Sequence, residues 1–182
     1  MEIIEERLSN SLSRINFIFQ NEKIITECMK DFKGFSLLGE SFGTFEKGKK
    51  YKLKMFSAIP FIEKSILKVA PEYKCDNVDV QRYAISERDD PKLTKRTNKY
   101  FLNKIKVFKR FMENEIDNKN KPKIDLVRYN SYTANIIDSR LLKLLKLSMA
   151  ELTLEDERLL TNSEKLLYGY LYYLIKTWKK FF

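Results

Sequence analysis

The chain has no histidine and only two cysteines, Cys28 and Cys75, among its 182 residues. Histidine general bases, Cys/His nucleophile pairs and the usual zinc-ligand spacings are therefore excluded. Because the two cysteines are isolated in the sequence, we do not expect a disulfide between them.

Glycine is scarce and unevenly placed. Four of the five glycines lie in one short region: Gly34, Gly39, Gly43 and Gly48. None occurs from Lys49 to Tyr168, so tight turns are confined to the N-terminal part. We predict an α+β fold of two domains. Residues 1–72 form a small β-rich domain with an N-terminal helix and one covering helix, and residues 73–182 form a bundle of about four helices.

Long hydrophobic runs are also missing. No stretch of about 18 apolar residues occurs, and the N-terminus, MEIIEERLSNS, is acidic and has no continuous apolar segment. We therefore expect a soluble cytoplasmic protein that is neither secreted nor membrane-spanning.

Positive charge is in excess, with a formal net charge of +10. Residues 92–123 hold 11 Lys or Arg residues against 3 Asp or Glu residues, a surplus of 8. Such a segment attracts nucleic acid by counterion release, whereas a solvated helix face in a lysine-rich protein explains the same charge equally well. The side chains proposed for nucleic-acid contact are Lys99, Lys104, Lys106, Lys109 and Arg110.

Short elements are predicted in the N-terminal domain. Residues 2–19 carry apolar side chains at helical spacing, which predicts an amphipathic helix or a helix running into a strand. A small sheet of three or four strands includes residues 23–27, 34–38 and 50–54. A helix over residues 55–66 covers that sheet.

Longer helices are predicted in the C-terminal domain. Asp76 or Asn77 caps a helix ending near Glu87, and Asp90-Pro91 starts a helix that continues to about Ile116. A loop follows, and the next helix covers residues 124–149. Thr153, with Asp156 three residues later, resembles a capping box and starts the last helix.

No catalytic constellation is found in the sequence. Glu155, Asp156 and Glu157 are consecutive, so on a helix they fan around the axis and cannot converge on a metal ion. The segment Phe42–Gly48 lacks the Gly-Lys-Ser/Thr ending of a phosphate-binding loop, and a hairpin turn is favoured there. We therefore expect no enzyme activity, no cofactor and no metal.

Aromatic residues are concentrated at the C-terminus, with seven in the last 15 positions. One face of a helix cannot bury so many within its own bundle, which indicates contact with a partner chain. The predicted interface residues are Tyr168, Tyr172, Trp178, Phe181 and Phe182. Stacking of single-stranded bases, helped by the neighbouring lysines, is the alternative.

Several short strings, in this order, resemble the GINS complex of the replicative helicase, in the subunit type whose β domain precedes its helical domain. Phe42–Gly48 resembles the family's G-P-F-x-x-G turn, and Ala70–Tyr73 resembles its P-P-E-W exit. Asp138–Leu144 resembles the D-x-R-x-x-K-L segment, and Leu152–Leu154 resembles the opening of the last helix. The residues that carry the resemblance are Gly43, Phe45, Gly48, Pro71, Glu72, Asp138, Arg140 and Lys143.

The resemblance implies a compact archaeal subunit that catalyses nothing. Such a subunit pairs with a GINS chain of opposite domain order into a dimer of heterodimers. It bridges the MCM helicase ring to a RecJ-like protein, with weak DNA contact at most, and works at replication forks in the nucleoid. A stand-alone basic nucleic-acid-binding helical protein is the alternative function.

Overall fold

The structure, a computed structural model, describes residues 2–37 and 40–182. The chain forms two compact units. The small unit comprises residues 18–74, and the helical unit comprises the segment up to Phe17 together with Cys75–Phe182. Helices and a small antiparallel sheet are both present, so the predicted α+β class is confirmed.

The N-terminal helix, α1 (Glu2–Gln20), is formed as predicted and contains the boundary between the two units. The sequence placed all of it in the first domain, whereas the part up to Phe17 belongs to the helical unit. There the Asn103 side-chain amide donates a hydrogen bond to Asn16 Oδ1 over 3.2 Å. Amphipathic spacing predicts a helix but does not predict in which of the two units the apolar side chains of that helix pack.

The small unit has five strands in its described residues: β1 (Lys23–Cys28), β2 (Phe35–Leu37), β3 (Glu40–Phe42), β4 (Lys50–Lys54) and β5 (Leu67–Val69). Strands β1, β4 and β5 form an antiparallel sheet in the order β4-β1-β5. In its register, Thr26 of β1 lies between Tyr51 and Val69. Within the described residues, strands β2 and β3 pair only with each other.

The predicted membership of the main sheet is partly wrong. The strand predicted at residues 34–38 corresponds to β2, which joins the separate two-stranded sheet, while Leu38 and Gly39 lie outside the described residues. The third strand of the main sheet is β5, where the sequence predicts no strand. Leu67 and Val69 are buried and Lys68 is exposed, but three alternating residues are too few to identify a strand.

Helix α2 (Met55–Glu63) covers the sheet, as predicted. It contacts β1, β4 and β5 through buried side chains. These are Met55, Ala58, Ile59, Phe61 and Ile62. A short 3-10 helix, Pro71–Tyr73, follows β5.

The helical unit contains the further helices α3 (Asn77–Asp89), α4 (Phe101–Asp117), α5 (Lys123–Leu147), α6 (Leu154–Glu157) and α7 (Asn162–Phe181). Helix α5 packs against α3, α4 and α7. The predicted loop between α4 and α5 and the predicted extent of α5 are confirmed within about two residues, the usual uncertainty of helix ends.

Asp76 caps α3 as predicted, because its Oδ1 accepts hydrogen bonds from the Val78 and Asp79 amides. The predicted helix start at Asp90-Pro91 is wrong: Asp90 ends α3, and α4 begins only at Phe101. Tertiary contacts with α3 hold the intervening segment, and these contacts override the helix-start signal of Asp90-Pro91.

The predicted start of the last helix at Thr153 is also wrong. Thr153 does cap a helix by accepting from the Asp156 amide, but that helix is α6, which has four residues. Helix α7 starts at a second capping box eight residues later, formed by Thr161 and Glu164. The sequence predicts one helix where the structure has two, α6 and α7.

Candidate functional site

The first turn of α7 is anchored by its cap. The Glu164 carboxylate accepts hydrogen bonds from the Thr161 amide (2.8 Å) and the Thr161 hydroxyl (2.9 Å), and the Thr161 hydroxyl accepts from the Glu164 amide (3.4 Å). Both side chains are buried. The start of the helix is therefore rigidly defined, and its far end carries the candidate site.

Tyr168 belongs to the core of the helical unit. It is 8% exposed and forms one buried cluster with Leu93, Leu144 and Leu160. Its hydroxyl donates to the Ala150 carbonyl over 2.7 Å. A ring buried in this way offers no surface to another chain, so its predicted role as an interface residue is wrong.

Tyr172 lies at the edge of that core. Its ring stacks on Tyr168, with 5.7 Å between centroids and 11° between planes. Its hydroxyl donates to Glu151 over 3.1 Å and accepts from Lys176 over 3.2 Å. This half-buried tyrosine marks the point on α7 where the core ends.

Beyond that point, α7 carries large apolar side chains that nothing in the described chain covers. Trp178 is 65%, Phe181 83% and Phe182 85% exposed, and the rings contact one another with centroids 5.1 Å apart for Trp178–Phe182 and Phe181–Phe182. Together with the exposed Tyr173 and Leu174 they form what we call the terminal aromatic surface.

The sequence predicted three of these five residues and missed Tyr173 and Leu174. Leu174, Trp178 and Phe181 lie four and three residues apart, on one side of the helix, a spacing that predicts a buried stripe, whereas all three are exposed. Three lysines flank this surface, at positions 176, 179 and 180, and α7 has no acidic residue after Glu164.

A buried ionic network joins α3, α5 and α7. Arg140 is 2% exposed and binds Glu164 through Nε (2.6 Å) and Nη2 (2.8 Å), and Glu87 through Nη1 (2.7 Å). Lys143 Nζ binds Glu87 Oε1 over 2.7 Å, and Arg96 Nη2 binds Glu87 Oε2 over 2.6 Å. Two carboxylates and three cations are thus held together inside the unit.

The protonation of Glu87 follows from these contacts. Burial alone would raise its pKa, but hydrogen bonds from Lys143 and Thr94 and the charge of Arg140 outweigh burial and hold the pKa at about 2. Glu87 is therefore ionised at neutral pH, which the paired cations require.

The same network explains why residues 91–100 are not helical. Leu93 enters the core cluster, and Thr94 donates to Glu87 through its hydroxyl. The Arg96 guanidinium lies over the rings of Tyr83 (5.1 Å) and Phe101 (5.0 Å). A helix starting at Pro91 would place these side chains elsewhere.

The two motif residues of α5 that the resemblance singled out, Arg140 and Lys143, both lie in this network, whereas Asp138 is exposed. The carboxylates that they bind were not identified from the sequence. Glu87 lies 53 residues before Arg140, and no local pattern links the two.

The motif residues of the small unit occupy constrained positions. Gly43 has a φ of +101°, and a Cβ atom there would lie 2.6 Å from Gly34 Cα, so only glycine fits. Gly48, with a φ of +82°, donates its amide hydrogen to the Cys28 carbonyl over 2.8 Å. Phe45 is buried edge-on against Phe61, at a centroid distance of 5.0 Å.

The exit motif of the small unit is at its surface. Pro71 is the first residue of the short 3-10 helix. Glu72 pairs with Lys50 across 3.0 Å, and both side chains are exposed. An exposed pair of this kind contributes little to stability.

The five predicted nucleic-acid contacts do not form one surface. Lys104 lies over the Phe108 ring at 5.5 Å, on the buried side of α4, and Lys99 precedes the helix. Lys106, Lys109 and Arg110 share the outward side of α4. Glu113 lies there too, 3.9 Å from Lys109, and reduces the local positive charge.

Comparison with known proteins leaves the family open. No protein-family model matches the chain, and no curated protein matches it in sequence. The resemblance to GINS therefore stays a prediction.

Among the described residues, no group of three or more Cys, Asp or Glu side chains is arranged to hold a metal ion. No helix within the described ranges is long and apolar enough to cross a membrane.

Proposed function

We propose that the protein is a non-catalytic scaffold subunit of a GINS complex in DNA replication. It assembles with a GINS chain of opposite domain order into a dimer of heterodimers, which links MCM helicase to a RecJ-like protein at replication forks in the nucleoid. The observation that carries the proposal is the terminal aromatic surface.

This surface has the chemistry of a protein interface. Trp and Tyr dominate the binding energy of known interfaces, and a cluster of exposed aromatic rings costs solubility unless a partner covers it. The Phe182 ring contacts both Trp178 and Phe181, so the three rings present a connected apolar area at one helix end.

The positions of the motif residues support the assignment to GINS. Arg140 and Lys143 bind buried carboxylates, and Gly43 occupies a turn that only glycine allows. Residue types at such positions specify a fold, so their agreement with the family's strings carries weight beyond composition.

Native co-purification tests the proposal. The full chain, tagged in its source cells, is expected to retain a GINS chain of opposite domain order as its tightest-bound partner. A Trp178→Ala/Phe181→Ala variant is expected to lose that chain, while Lys92→Ala/Lys95→Ala, an exposed control pair, retains it. If the chain does not bind a co-expressed GINS partner, the scaffold proposal is wrong.

Binding of nucleic acid is the second candidate, favoured by the outward position of Lys106, Lys109 and Arg110 on α4. A nucleic-acid phosphate would have to compete with the neighbouring Glu113 carboxylate for the positive charge of Lys109. The salt dependence of binding distinguishes the two functions and is given below.

A further inference from the structure

Helix α1 carries a row of apolar side chains that its own chain covers only in part. Ile4, Leu8, Leu12 and Ile15 follow one another at spacings of four, four and three residues, on one face of the helix. Ile4 is 43% and Leu12 37% exposed, Leu8 and Ile15 are half-buried, and no described side chain from Ile3 to Arg14 is fully buried. We call these four residues the α1 row.

A helix whose apolar face is only partly covered gains less stability from packing than one that is fully covered. Isolated helices in water are marginal, and most helices in proteins gain their stability from packing an apolar face. A second surface that covers the exposed part of the α1 row would therefore stabilise the helix. A suitable surface is an apolar helix face with the opposite charge.

The terminal aromatic surface meets that description. Leu174, Trp178 and Phe181 have the four- and three-residue spacing with which one helix docks on another. Within one chain both surfaces stay exposed, so neither covers the other there.

Charge identifies the pairing. Residues 3–7 hold two carboxylates, on Glu5 and Glu6, against one guanidinium, whereas the last turns of α7 carry three lysines and no acid. Two α7 ends brought together would place lysines against lysines, but α1 against α7 brings opposite charges together.

We propose that the α1 row of one copy docks on the terminal aromatic surface of a second copy, and reciprocally. The contact is a helix pair with apolar side chains at its centre and Glu–Lys pairs at its rim. It does not rest on the assignment to replication, since it names the occupant of the surface when no other chain is present. A partner that binds the same surface competes with it.

A charge swap in the full-length chain tests this pairing. Glu5→Lys/Glu6→Lys makes both surfaces positive, and Lys179→Glu/Lys180→Glu makes both negative. Each variant alone is expected to self-associate about tenfold or more weakly than the wild type, because like charges now face each other. An equimolar mixture restores association, because both contacts in the mixed pair are again between opposite charges.

Two readouts follow the association. Sedimentation gives the dimer fraction, and Trp178, the one tryptophan of the chain, reports burial of the surface through a blue shift of its emission. Lys92→Glu/Lys95→Glu is the net-charge control and should associate as the wild type does. If lysines fray the start of α1, Glu5→Gln/Glu6→Gln replaces that variant and should weaken association with the wild-type α7 end.

Several results would overturn the inference: a monomeric wild type, variants that dimerise unchanged, or a mixture that does not recover. An emission shift with vesicles of anionic phospholipid but none with protein concentration would assign the surface to a membrane instead. A monomer that still binds a GINS chain overturns this inference alone. Self-association without such binding overturns only the proposed function.

Discussion

Arg140 of α5 holds Glu164 of α7 by two hydrogen bonds, of 2.6 and 2.8 Å, and the same carboxylate closes the cap at the start of α7. The residue that fixes the direction of α7 is therefore a buried cation on a neighbouring helix. The terminal aromatic surface lies at the other end of α7, so the network positions that surface without touching it.

Arg140→Met is expected to destabilise the helical unit by about 3–5 kcal/mol, because it leaves the buried Glu164 carboxylate without its paired cation and removes one of the three cations that bind Glu87. Arg82→Met is the matched control. Arg82 pairs with Asp79 at 2.8 Å but is exposed, so its loss should cost about 1 kcal/mol or less. Urea unfolding of both variants checks the prediction, and equal losses would show that the network contributes no more than a surface pair.

Acid should weaken the fold through Glu87. Its pKa in the folded chain is about 2, below the ordinary value of 4.5, so the folded state favours the ionised form. The stabilisation is present above about pH 4.5 and is lost as pH falls toward 2. The difference in unfolding free energy between the wild type and Glu87→Gln should therefore shrink over this interval, and a difference that is constant with pH would contradict the ionised network.

Tyr168 and Trp178 should respond oppositely to truncation. Tyr168→Ala removes a buried ring and is expected to cost about 3 kcal/mol or more of stability. Trp178→Ala removes an exposed ring and should change stability by about 0.5 kcal/mol or less, while weakening association with a partner. Thermal melting paired with sedimentation separates the two effects. Similar melting losses in both variants would place Trp178 in the core.

Binding to DNA should be weak for the chain alone, with a dissociation constant on the order of micromolar or weaker at physiological salt. Reversing Lys106, Lys109 and Arg110 to Glu should change it little. If these side chains do contact phosphates, each lost contact should lower the slope of log affinity against log salt by about 1. Tight binding that this reversal abolishes, but that a triple reversal at Lys33, Lys47 and Lys64 leaves intact, would favour the nucleic-acid function.

Local patterns predicted the elements whose signal is contained within a few residues. The alternation in KYKLK identified β4, and the carboxylate of Asp76 identified the start of α3. Where two signals competed, the sequence was misleading. Thr153 and Thr161 both cap helices, and only the second starts the long one.

Long-range contacts could not be predicted in the same way. The Asp90 carboxylate does form a local turn, since it accepts a hydrogen bond from the Lys92 amide over 2.8 Å. The segment does not continue as a helix, because Thr94 and Arg96 bind Glu87 of α3 instead. The aromatic excess at the C-terminus correctly indicated exposed rings. It did not separate buried Tyr168 from exposed Trp178, because that depends on where the core ends.

The proposed function requires the terminal aromatic surface to bind a GINS chain of opposite domain order. Titration calorimetry of the purified full chain with that partner, comparing the wild type with Trp178→Ala, measures this binding. We expect binding by the wild type and a loss of about 2 kcal/mol or more in the variant, with melting unchanged. Absence of binding by the wild type, or equal affinity in the two proteins, would overturn the proposal.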